Sequence, residues 1–212
     1  MKFTEKELEF LRLAVKDRLS EKRYRHTLGV ETAAARIGEI VCPEDVPALR
    51  AAALLHDIAK ELSGDEQLAL LAEQGITDGD DISASAVHHS LTAPAVIKRD
   101  FPEFATERVL SAVRNHTTGD ECMSVFDEII FLADYIEDGR TYPACVELRE
   151  WLYSNLRDGM TAERAVSVLH AAALTEINNT IKSIAERGQR LHPRTLRALE
   201  DLRSYHEQGA NK

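Results

Sequence analysis

Six side chains in this sequence have the types and contexts of metal ligands: His26, His56, Asp57, His89, His116 and Asp134. Three of the contexts are apolar. Leu54-Leu55 precedes His56, Val113 stands one turn before His116, and Phe131-Leu132-Ala133 leads into Asp134. Ionisable groups are costly to bury unless they are paired or coordinated. Imidazole nitrogen together with carboxylate oxygen suits first-row divalent metals such as iron, manganese, zinc or nickel. Four histidines and two carboxylates exceed what one tetrahedral zinc takes, which points to a binuclear site with a bridging carboxylate. Any single histidine at a helix end is more often a cap or a satisfied core residue. The adjacent pair His56-Asp57 shifts that balance, because a buried His-Asp closing the apolar run AAALL is hard to account for without a metal.

The elements that must hold these residues read as helices. Aromatics are few, Ala and Leu are many, and no run alternates apolar and polar as a half-buried strand would. Thr4-Glu-Lys-Glu7 and Ser63-Gly-Asp-Glu66 are capping boxes that open helices. Leu8, Leu11 and Ala14 or Val15 mark the apolar face of the first helix; Val30, Ala34, Ile37 and Val41 mark that of a second, from about Ser20 to Val41. A third is expected from about Asp45 to Lys60–Leu62, which would put Lys60 on the helix face of Asp57. DGDD at 78–81 reads as a loop. Further helices are expected over about 84–99, 105–115, 124–138, 144–157, 161–187 and 194–207. The fold class is therefore all-α. With short connections, no linker and no repeat, the 212 residues read as one domain over 1–212. Its core covers about 20–140, and C-terminal helices at about 144–207 pack on it.

Composition narrows the function. Apolar residues are 44% and charged residues 29%, an ordinary globular mix. No stretch is apolar for long enough to span a membrane. The start, MKFTEKELEF, has no apolar run before a cleavage site, so a cytoplasmic location is expected. A net charge of −10 disfavours nucleic acid, whose phosphates reward clustered Lys and Arg. Cys42, Cys122 and Cys145 are odd in number and scattered, and read as free thiols.

The order His26, His56-Asp57, Asp134 resembles the H…HD…D signature of the HD-domain superfamily of metal-dependent phosphohydrolases. His89 and His116 are similar to the extra histidines of its two-metal members. The runs RYRHTLGVETAA (23–34), ALLHDIAKEL (53–62), HHSLTAPAV (88–96), VRNHTTG (113–119), DEIIFLADYIEDGR (127–140) and LHPRTLRALEDL (191–202) together resemble the YqeK family. These are bacterial HD-domain hydrolases that cleave bis(5′-nucleosyl) tetraphosphates symmetrically. Two departures stand out: Asp138 replaces the family's usual Pro, and DECM (120–123) is unusually acidic. Both bear on affinity or nucleotide preference.

The resemblance implies an HD-domain helical bundle and a dinucleoside polyphosphate or nucleotide substrate. It also implies two metals, most simply iron, with manganese or another first-row metal as alternatives. His26, His56, Asp57 and Asp134 would serve one metal and Asp57, His89 and His116 the other, with Asp57 bridging; His89, not His88, is the implied ligand. Lys60 and Arg140 become candidate phosphate clamps, and Arg140 could also pair with Glu137 or Asp138. Thr117, Thr118 and Gly119 offer hydroxyl and backbone donors, and Arg23 and Arg25 lie close to His26 in sequence. His170 reads as packing or surface, and His192 as the start of a helix. Diadenosine tetraphosphate would give two ADP. The alternatives are another HD nucleotide phosphohydrolase or phosphodiesterase, or a metal-holding regulatory module. An oligomer is compatible with the sequence.

Overall fold

The computed structural model describes residues 3–209. Among them there is no strand, and eleven α-helices follow one another. These are α1 (Glu5–Lys16), α2 (Glu21–Val41), α3 (Val46–Leu55), α4 (Gly64–Glu73), α5 (Asp80–Ser83) and α6 (His88–Asp100). Then come α7 (Glu107–Asn115), α8 (Val125–Ile136), α9 (Pro143–Asn155), α10 (Ala162–Glu186) and α11 (Pro193–Gly209).

The starts are written in the sequence. Thr4, Ser63 and Ser124 each cap a helix in a full capping box, with Glu7, Glu66 and Asp127 reaching back. Ser20, Thr106 and Thr161 cap α2, α7 and α10 with a side-chain oxygen.

Two helices are apolar on nearly every side and lie at the centre. In α3 all of Ala51–Leu55 is buried, and in α8 all of Phe126–Ala133. Around them α2 packs on α3 and α8, α7 on α3, α6 and α8, and α10 on α8, α9 and α11. Leu54, Leu55 and Phe131 are essentially shielded from water. Each such side chain contributes roughly 1.5–3 kcal/mol of burial. One contiguous apolar core runs from Phe3 to Leu202, so the C-terminal helices share it with the helices that carry the ligand candidates.

A buried carboxylate ties the first three helices together. Glu31 on α2 takes Arg12 Nε of α1 at 2.9 Å and Arg50 Nε of α3 at 2.9 Å. This fixes α2, which carries His26, against α3, which ends at His56.

Two elements differ from the sequence reading. The third helix stops at Leu55, because His56 Nδ1 turns back and donates to Ala53 O. The chain then continues in turns, with Lys60 N bonded to Asp57 O at 2.9 Å. The acidic segment 78–81, read as a loop, partly winds into the single turn α5 after Gly79, whose φ of 82° suits glycine.

No helix among the described residues is long and apolar enough to cross a membrane.

Candidate metal centre

Histidine side chains close two helices in the same way. His56 is the C-cap of α3 and His116 the C-cap of α7; their Nδ1 atoms donate to Ala53 O and Val113 O, each at 2.6 Å. This bond assigns the proton to Nδ1 in the neutral ring and leaves Nε2 with a free lone pair. Both Nε2 atoms face the same interior space. His26, on the second turn of α2, and His89, on the first turn of α6, turn their Nε2 atoms toward it. His56 Nε2 lies 3.3 Å from His26 Nε2, and His89 Nε2 lies 3.2 Å from His116 Nε2.

Asp57 stands between these two pairs. Its Oδ2 is 3.4 Å from His56 Nε2 and 3.9 Å from His26 Nε2. Its Oδ1 is 3.4 Å from His89 Nε2 and 3.6 Å from His116 Nε2. Asp134 closes the first pair from α8, with Oδ1 3.0 Å from His26 Nε2. Ligand atoms of His26, His56 and Asp134 fall within 4.8 Å of one another, as do those of His56, Asp57 and His116. His56 therefore lies between two ligand sets.

The electrostatics follow from this crowding. Burial works to raise the Asp57 carboxyl, but His56 and His116 outweigh it and hold it well below the usual range. Burial likewise opposes the ionised Asp134, and His26 and Arg140 outweigh it. Burial disfavours the charged His26, yet its bonds to Asp134 and Glu137 raise it to about 9. His89 is driven well below the ordinary imidazole value by burial, then by His116 and Lys60. Converging lone pairs, the buried Asp57 and the half-buried Asp134, both held ionised, are the donor set that a divalent cation satisfies, so these residues fit the metals the sequence implies.

Residues 23–139 match the HD domain family. This chain belongs to the HD-domain family. The HD pair is His56-Asp57, at the C-terminus of α3. A symmetrical bis(5′-nucleosyl)-tetraphosphatase of Halalkalibacterium halodurans is 31% identical over 89% of this chain and 92% of its own. One from Staphylococcus aureus is 30% identical over 82% of this chain and 91% of its own. A crystal structure from Clostridium acetobutylicum is described as a predicted HD superfamily hydrolase involved in NAD metabolism. It is 33% identical, with a TM-score of 0.78, and covers 97% of this chain and 100% of that one. Helices α9, α10 and α11 lie beyond the segment matched to the HD domain.

The remaining candidate residues divide into those at the HD cluster and those in its walls. Arg23 Nη1 donates to Asp57 Oδ2 at 2.7 Å, and Arg140 Nη2 donates to Asp134 Oδ1 at 2.6 Å. The main partner of Arg140 is thus Asp134; Glu137 lies 3.9 Å from its Nε. Lys60 Nζ is 3.1 and 3.2 Å from the two ring nitrogens of His89. Burial lowers its pKa, which Asp57 opposes. Thr117 Oγ1 is 3.0 Å from His89 Nε2 and 3.1 Å from His116 Nε2. Thr118 is buried and donates to Gly119 O, and Gly119, at φ 62°, packs against Ala198. His88 turns away and bonds Ile82 O at 2.9 Å. Arg25 pairs with Glu21 on the surface.

The two departures are accommodated. Asp138 is exposed, with Arg149 Nε at 3.6 Å. In the DECM segment, Asp120 is held by Arg194 and Arg197 of α11.

Glu137 joins the site from outside the set that the sequence marks. Its Oε1 accepts from His26 Nδ1 at 3.1 Å, completing a carboxylate–histidine pair of the kind that orients metal ligands. The signal is present in YIED, an acid three residues after Asp134.

Proposed function

We propose that this chain hydrolyses bis(5′-nucleosyl) tetraphosphates symmetrically, taking diadenosine tetraphosphate and water to two ADP. The reading is carried by a full HD ligand set in one cluster, in a chain whose matched relatives, over four-fifths or more of its length, are symmetrical tetraphosphatases. Two first-row metals, with iron as the leading candidate, would be held by His26, His56 and Asp134 on one side and by His89 and His116 on the other. Asp57 would offer one oxygen to each. When bound, such metals supply Lewis acidity to phosphoryl oxygens and acidify a water for attack at neutral pH.

The chain's own residues supply grip and direction. Arg23, Lys60 and Arg140 ring the cluster with positive charge, where a polyphosphate concentrates negative charge. Arg guanidinium forks suit phosphate oxygens in pairs. Lys60 and the Thr117 hydroxyl lie at the His89–His116 side and Arg140 at the Asp134 side, so a polyphosphate laid across the cluster is held from both ends. Holding both halves directs water to a phosphorus of the central bridge. The bridging oxygen leaves with the other ADP, which needs no further activation beyond neutralised charge.

The test is product analysis with the metal-loaded protein. An early time point should contain ADP alone. In oxygen-18 water, one of each two ADP molecules should carry one labelled oxygen. AMP with ATP as the first products would mean asymmetrical cleavage and would reject the reading.

A further inference from the structure

A cavity of about 420 Å³ lies beside the ligand turn, between the end of α7, the acidic segment at α5 and the first turns of α11. Its size is within the range of small-molecule sites. It adjoins the metal centre in the chain: Arg114 is two residues before His116, and Asp120 is three after Thr117. Arg194 Nη2 spans from α11 to Asn115 Oδ1, next to His116, at 2.9 Å.

The walls carry both signs of charge. Arg114, Arg194 and Arg197 line the cavity together with Asp78, Asp80, Asp81 and Asp120, and Asp80 is taken by Arg190 at 2.7 Å. Some of these groups are committed. Asp120 is shared by Arg194 at 3.0 Å and Arg197 at 2.9 Å, and Asp81 stands 3.1 Å from His192 Nε2. That His192 contact lacks hydrogen-bond alignment, so its Nε2 is still unsatisfied. Other donors and acceptors of the wall are still unused. Arg194 is 6% exposed, and its buried Nε has no acceptor. Neither the Arg114 guanidinium nor the Asp78 carboxylate has an ion pair among the described residues.

Such a wall is a poor trap for phosphate alone, because its acids offset its cations. It suits a neutral, flat ligand that both donates and accepts hydrogen bonds. Guanidinium planes stack on heteroaromatic rings and donate to ring nitrogens. Carboxylates accept from sugar hydroxyls and from an exocyclic amino group. A substrate cut between its second and third phosphates must carry each nucleoside two phosphates away from the reacting atoms, beside the metals and not on them.

We propose that this cavity holds one nucleoside end of the substrate, with the Arg114 guanidinium against the base and the acids of the wall taking its polar donors. This rests on the tetraphosphatase reading and adds where preference for a nucleoside-terminated substrate resides.

The experiment compares the metal-loaded wild type with Arg114→Ala and Asp78→Asn, after thermal melting has shown each variant folded. Two quantities are measured: KM for diadenosine tetraphosphate, and the inhibition constant of inorganic tripolyphosphate, which has phosphates and no nucleoside. Arg114→Ala is expected to raise KM by about tenfold, the scale of one lost charge-assisted contact, and Asp78→Asn by less. Tripolyphosphate should inhibit wild type and variants alike. An unchanged KM in both variants overturns the proposal. A parallel rise in the tripolyphosphate constant also overturns it, since the cavity would then be reading phosphate. A wild type that releases no ADP from diadenosine tetraphosphate fails the parent reading before any variant is compared, and this proposal falls with it.

Discussion

His26 Nδ1 lies 3.1 Å from Glu137 Oε1, and Glu137 reaches it from just beyond the end of α8. Its other oxygen takes the Gly139 N–H at 2.6 Å, which fixes the carboxylate in place. The bond holds the proton on Nδ1 and aims Nε2 at the cluster. Glu137→Ala should therefore weaken metal binding by roughly 10–100-fold, as loss of such outer partners does. Glu137→Gln keeps an acceptor for Nδ1–H and should recover much of the loss. Chelator competition on the three proteins measures this. An alanine variant that holds metal as tightly as wild type would show that the bond only caps the end of α8.

The two oxygens of Asp57 face different histidine pairs. Removing its carboxylate should lower metal content at both positions, whereas His89→Ala should remove one metal and spare the other. Metal analysis after gel filtration separates the cases. Full occupancy in Asp57→Ala would sink the bridging role. Metal binding is coupled to folding, so the melting temperature of Asp57→Ala should also stop responding to added metal.

The six clustered His and Asp residues stand out in the sequence because burying His and Asp in apolar helices is expensive, and the cost shows as residue type in context. The all-α architecture is legible because Thr4 and Ser63 announce helix starts locally and the apolar residues recur at helical spacing. Glu137 has a sequence signal in its spacing of three from Asp134, but an acid at that spacing is common on helix surfaces, and only the fold shows that it meets His26, 111 positions away. The end of α3 was misplaced because the bond from His56 to Ala53 O is a property of the folded cluster. The link from Asp120 to Arg194 and Arg197 joins residues more than seventy positions apart, and no local pattern marks it.

Arg23, Lys60 and Arg140 give a prediction that separates grip from fold. Lys60→Ala and Arg23→Ala should leave the melting temperature of the metal-loaded protein within a few degrees of wild type. Each should lower kcat/KM for diadenosine tetraphosphate by about 10–100-fold, the scale of a charge-assisted hydrogen bond. Arg140→Lys should not rescue Arg140→Ala, because an ammonium cannot reproduce the planar fork that meets both Asp134 and a phosphate. If Lys60→Ala melts far below wild type with activity per folded molecule intact, Lys60 is a structural partner of His89.

A buried pair away from the His/Asp cluster tests the electrostatics of the core. Glu128 on α8 is 1% exposed, and its Oε2 accepts from His170 Nδ1 of α10 at 2.7 Å, with the Tyr205 ring 3.9 Å from the imidazole. Burial raises the Glu128 carboxyl above its ordinary 4.5, and His170 only partly offsets it. A carboxyl whose folded pKa is raised contributes stability that is fully present below about pH 4.5. That contribution is lost as pH rises through the raised value, so at neutral pH the ionised group is a net cost. Glu128→Gln removes the ionisation and keeps an oxygen for His170 Nδ1–H. The variant should melt above wild type at pH 8, by about 2–4 °C for a gain on the order of 1 kcal/mol in a chain of this size. The gap should close as pH falls through the raised value, below which wild-type Glu128 is itself neutral. Paired melting curves across that range decide it. A glutamine variant that melts lower by the same amount at every pH would mean that shape or hydrogen-bond geometry, not the cost of the buried charge, sets the contribution of Glu128.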